Sequence, residues 1–127
     1  MPGSPDDRLE RMIQRADIGG SGPAVRRFIA RVRALGLQVR PYEYSFTVTP
    51  PQTKNISVIY MAPDERTVKT SVNPAMFSKY FPDISFERFD TELGEIDDQF
   101  LTSSEIEALG DRLEALLGTI RPNGPAN

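Results

Sequence analysis

The apolar residues change their spacing along the chain, and that change restricts the fold to a mixture of helix and sheet. Up to Leu35 they recur three or four positions apart, from Tyr42 at every second position, and after Thr102 the wider spacing returns. A helix buries one stripe and a half-buried strand buries alternate side chains, so the pattern fits neither an all-helical nor an all-strand domain. With 127 residues the chain has the size of one domain and can bury a full core.

The first helix is predicted to follow Ser4 as N-cap, with Pro5 at its first position and Asp6 and Asp7 against the positive end of the helix dipole. Leu9, Met12, Ile13 and Ala16 form its apolar face, and Gly19-Gly20 ends it. A second helix begins at Pro23. Its stripe is Val25, Phe28, Ile29, Val32 and Leu35, and Gly36 is its terminator.

Tyr42, Tyr44, Phe46 and Val48 alternate with polar residues as in a half-buried strand, which Pro50-Pro51 breaks. Ile56 to Met61 reads as a second strand, Pro63-Asp64-Glu65 as a turn, and the alternating Val68, Thr70 and Val72 as a third strand. Together they predict a three-stranded antiparallel meander. Asn73-Pro74 predicts a short helix to Tyr80, and Ile84 to Phe89 a possible fourth strand. Residues 90–101 carry no clear pattern. Thr102-Ser103-Ser104-Glu105 is a capping box opening a last helix with the stripe Ile106, Leu109, Leu113, Leu116 and Leu117, which Gly118 ends.

The expected architecture is therefore a single α+β domain over 5–118: two N-terminal helices, a meander, a short helix and a C-terminal helix packed on the sheet. Residues 1–4 are expected to be a flexible N-terminus and 119–127 a disordered tail, having nothing to bury. The element order resembles that of the YjbR-like α+β proteins, where a sheet is followed by a helix, a strand and a final helix. The likeness lies in layout, carries no residue motif and implies no function.

Composition narrows the chemistry. There is no cysteine and no histidine, which removes disulfides, Cys/His metal sites and histidine-based nucleophilic catalysis. No segment approaches the roughly 20 apolar residues of a membrane span. The N-terminus lacks the basic start and apolar run of a secretory signal, so a cytoplasmic location is expected. No motif calls for a cofactor. Net charge is −3 but unevenly placed: residues 1–82 hold 12 basic and 7 acidic side chains, residues 83–127 hold 3 and 11.

Several sharper motifs fail on spacing. Gly19-Gly20-Ser21-Gly22-Pro23 leads into a helix but lacks the P-loop lysine and a preceding strand, and Ser21 lacks a nucleophile elbow. A flexible helix–helix connection is its simpler reading. The strand from Arg40 to Val48 has aromatics but not the glycines of an RNA-binding sheet. Starting a calcium loop at Asp90 puts Gly94 at the fifth position, where a ligand is needed. A divalent-ion site at Glu95, Asp97 and Asp98 remains an unspecific alternative. Neither Pro63-Asp64 nor Pro82-Asp83 is followed by the acid-x-lysine triplet of a nuclease.

One surface stands out. From Ile18 to Tyr42 there are five arginines and no acid. Arg26 and Arg33 flank the stripe of the second helix on one side and Arg27 and Arg31 on the other, with Ala30 and Ala34 between them on the outer face. Guanidinium groups grip carboxylate or phosphate bidentately, so Arg26, Arg27, Arg31 and Arg33, joined by Arg40, are the candidate partner-binding residues. The expected function is a non-catalytic binding or regulatory domain engaging an acidic protein surface or a second copy of itself. A nucleic acid on the same helix and a small carboxylate enzyme with a divalent ion are the alternatives. The competing expectation is that the first helix or the acidic C-terminal half neutralises these arginines within the chain.

Overall fold

The computed structural model describes residues 5–51, 56–65 and 67–118. The expectations for residues 1–4 and 119–127, including Ser4 as a cap, lie outside that range. Helix α1 (Pro5–Ile18) and helix α2 (Gly22–Ala34) start and stop near their predicted signals. Gly20 and Gly36 take positive φ of 85° and 89° at the two helix ends, a conformation that only glycine adopts without strain. Leu9, Met12, Ile13 and Ala16 of α1 and Val25, Phe28, Ile29 and Val32 of α2 are buried, as their spacing requires.

Among the described residues the sheet has five strands in sequential antiparallel order: β1 (Gln38–Pro41), β2 (Phe46–Thr49), β3 (Ile59–Pro63), β4 (Val68–Val72) and β5 (Gln99–Leu101). The stretch predicted as one strand through Tyr42 and Tyr44 is instead a hairpin. The Tyr42 amide donates to the Ser45 carbonyl at 2.7 Å, and Pro41 pairs with Phe46. The chain therefore reverses between the two tyrosines, and both project into solvent at 47% and 63% exposure. The alternation misleads because a tight turn here happens to carry aromatics two apart.

Ile84 to Phe89 is not a strand either. The Ser85 hydroxyl accepts from the Arg88 amide and caps helix α4 (Phe86–Leu93), which buries Phe89 and Leu93 one turn apart. A turn follows in which Asp98 adopts φ 54°, and β5 then joins the sheet beside β4. Helix α3 (Pro74–Tyr80) is capped by Asn73, whose side chain accepts from the Met76 amide. It packs on α4 through Phe77, whose ring stacks on Phe89 at 5.1 Å.

Helix α5 (Ser103–Leu117) has both hydrogen bonds of the predicted capping box. Its stripe is buried, yet it packs chiefly against α2 and only at one side against β5, rather than across the sheet. The inner sheet face, with Phe46, Val48, Ile59, Met61, Val68 and Val72, joins the helix stripes in one core. Truncating a core phenylalanine such as Phe28 to alanine would cost about 3–5 kcal/mol. The outer face carries Arg40, Thr47, Tyr60, Lys69, Ser71 and Phe100, of which Tyr60 and Phe100 are exposed. Among the described residues no helix is long and apolar enough to cross a membrane.

Candidate functional site

Helix α2 displays its arginines where the wheel places them, but most are already occupied. Arg26 Nη1 and Nη2 donate to the two carboxylate oxygens of Glu10 at 2.6 and 2.7 Å, and Nη2 lies 3.5 Å from Asp17. This fork ties α2 to α1. On the opposite flank, Arg27 Nε donates to Glu107 at 2.5 Å. Arg31 reaches further into α5: Nε pairs with Glu114, Nη2 with Asp111, and Nη1 donates to the Glu107 carbonyl at 3.2 Å.

The acidic C-terminal half thus meets the basic N-terminal half inside the molecule. The hydrogen bond from Arg27 holds the Glu107 carboxyl below the usual glutamate range, and the one from Arg26 does the same for Glu10. The arginines move the other way, each held more firmly protonated by its carboxylate partner. Gly110 leaves room for the Arg31 guanidinium against α5, because a Cβ there would stand 2.7 Å from Arg31 Nη1.

Of the five candidate arginines, Arg26, Arg27 and Arg31 are therefore engaged within the chain. Arg33 is exposed and lines a shallow cleft of about 350 Å³ with Arg26, Ile29 and Ala30. Arg40 belongs to a different surface. It lies opposite Thr47 on the outer sheet face, away from the α2 flank. The structure thus does not assemble the five into one patch.

The glycine-rich connection is a tight join between helices. The Ser21 amide donates to the Ala16 carbonyl at 3.0 Å, and the Ser103 hydroxyl bonds to the Gly20 carbonyl at 3.3 Å. A Cβ on Gly22 would lie 1.4 Å from Asp17 Oδ1, so a carboxylate of the chain itself already sits at the start of α2. In the acidic segment, Glu95 pairs with Arg112 at 3.1 Å and Asp98 with Lys69 at 3.6 Å. These side chains turn to different cations, and among the described residues no three acidic groups converge as a metal site would require.

The outer sheet face supplies residues that the sequence reading did not single out. Tyr60 is 37% exposed between the buried Ile59 and Met61, an alternation that could have assigned it outward. Lys69 stands across from Phe100, which is 62% exposed on the short edge strand that no sequence pattern revealed. The chain matches no known family, no curated protein and no solved structure, so the likeness in layout to the YjbR-like proteins stands on element order alone.

Proposed function

We propose that this chain is a non-catalytic binding domain that engages an acidic protein segment through the open face of its sheet. The observation that carries the reading is that this face sets Arg40 on β1 and the partly exposed Tyr60 on β3 to either side of Thr47, with Lys69, paired to Asp98 at 3.6 Å, on β4 beyond them. Flat aromatic surface beside guanidinium and ammonium groups suits a partner that offers carboxylates and apolar side chains together. Binding through the α2 arginines is the weaker form of the same idea, since Arg26, Arg27 and Arg31 would have to release carboxylates they already hold. A polyphosphate partner fits less well. The overall charge is −3, and Asp97 and Asp98 border the face.

The test is a fluorescence titration of the full chain with a labelled acidic peptide, a labelled single-stranded oligonucleotide, and unlabelled protein as a second copy. Binding of the peptide, weakened by Arg40→Glu and by Tyr60→Ala with folding unchanged, supports the reading. Saturable binding of the oligonucleotide alone would assign a nucleic-acid partner instead. Concentration-dependent self-association lost in Arg40→Glu would make the second copy the acidic partner. Variants that bind as the wild type does would move the site off this face.

A further inference from the structure

The free edge of the sheet faces a groove unrelated to the arginines. Among the described residues β5 pairs with β4 on one side and with no strand on the other. Between that edge and α5 lies a cleft of about 390 Å³, within the range of ligand-holding pockets. Ile96, Leu101 and Leu109 form its apolar floor, Ala108 part of its wall, and Glu95 and Glu105 its rim. An edge strand offers a row of unpaired backbone donors and acceptors, and a helix alongside supplies pockets for alternate side chains.

We infer that this groove takes an extended, lysine- or arginine-bearing peptide segment of another protein, which adds to β5 as a sixth strand. Register decides the pattern of its side chains. Gln99 and Leu101 share the inner face with Thr70 and Val68, whereas Phe100 shares the outer face with Lys69. Alternate residues of an added strand therefore divide in the same way. One set drops towards Leu101 and Leu109, where apolar side chains fit. The other set passes the exposed Phe100 ring, where a cation gains a favourable contact.

Charge selects a basic occupant over an acidic one. Glu95 and Glu105 line the groove beside Arg112, whose guanidinium is bound to the Glu92 carbonyl and the Glu95 carboxylate, so among the described residues the Glu105 carboxylate is left without a cation at the groove. The Glu105 carboxyl is held below its usual range by the Thr102 amide, so it stays ionised at neutral pH. An acidic strand would meet like charge at Glu105, where a basic one finds a partner. The groove meets the Arg40–Tyr60 face only at Phe100, and Ala108→Arg tests the one while Arg40→Glu tests the other, so either reading can fail without the other.

The experiment is an NMR titration of the isotopically labelled full chain with a blocked heptapeptide alternating lysine and valine, set against one alternating glutamate and valine. The expected result is saturable shifts confined to residues 96–101 and 105–112 with the lysine peptide alone, and slower amide exchange along β5 in the complex. Ala108 is exposed, so Ala108→Arg fills the groove without disturbing the core and should weaken binding at least about tenfold. No saturable shifts, equal shifts with the glutamate peptide, shifts elsewhere in the fold, or full binding by a folded Ala108→Arg variant would each overturn the proposal.

Discussion

The Arg31 guanidinium lies directly over Gly110, so close that any β-carbon on α5 at that point would displace it. Glycine in a helix interior is about 1 kcal/mol worse than alanine. Here the vacant position admits the side chain that joins Glu107, Asp111 and Glu114 to α2.

Gly110→Ala should therefore behave differently in two backgrounds. In Arg31→Ala it should stabilise by about 1 kcal/mol, the helix-propensity gain, which is about 3–5 °C in melting temperature at this size. In the wild type that gain should vanish or reverse. A double-mutant cycle by denaturant unfolding measures the difference, and equal effects in both backgrounds would show that the contact is unimportant.

Reversing charge along the same seam separates two expectations. Neither Arg27 nor Arg31 lies on the apolar stripe, so the sequence alone expects Arg27→Glu/Arg31→Glu to leave the fold intact. The structure places both against carboxylates of α5, so the double variant should melt several degrees lower. Arg31→Glu alone should account for about 1–2 kcal/mol, since partly exposed pairs are worth up to about 1 kcal/mol each and the reversed charge adds repulsion. Concentrated salt should shrink the deficit. A wild-type melting temperature would return these arginines to the list of free binding groups.

Acid should weaken the α2–α5 seam. The Glu107 carboxyl has a lower pKa folded than unfolded because Arg27 bonds its charged form. Its contribution is complete above the unfolded glutamate range and is lost as pH falls through the folded value. Glu107→Gln should thus be destabilising at pH 7 and converge on the wild type in strong acid. Parallel stability curves for the two proteins across that range would contradict the assignment.

Thr49 offers a change in the opposite direction. Its hydroxyl is buried and, among the described residues, lacks a hydrogen-bond partner. Thr49→Val keeps the shape and removes an unsatisfied polar group, so it should stabilise by about 1 kcal/mol. A lower melting temperature would show that the hydroxyl is bonded after all.

At the start of α5, Thr102→Ala removes the acceptor of the Glu105 amide and should cost about 1 kcal/mol. Thr102→Ser should recover most of the loss, which a general packing defect at Thr102 would not allow.

The local elements were legible wherever one residue type has one physical use. Gly20 and Gly36 end helices, Asn73 and Thr102 begin them, and the stripes of α1, α2 and α5 are buried as spaced. Ser85 gave a weaker signal because no glutamate or glutamine stands three positions on to complete a box, so α4 read as a strand. The Tyr42–Ser45 turn and β5 were hidden for a related reason: a two-residue period cannot mark where a chain reverses, and three residues are too few to show a period at all.

By itself the sequence determined the class of fold, the limits of α2, α3 and α5 and the flanks on which the α2 arginines stand, because these follow from contacts within a few residues. Tertiary structure decided what the arginines meet. Arg27 and Arg31 find their carboxylates 80 to 83 residues away, and Arg26 finds Glu10 16 residues back on α1. Charge composition states only that opposite halves attract; whether they attract within one molecule or between two depends on which helices the core brings side by side. Here the buried stripes of α2 and α5 pack together, and the charges at their margins pair as a consequence.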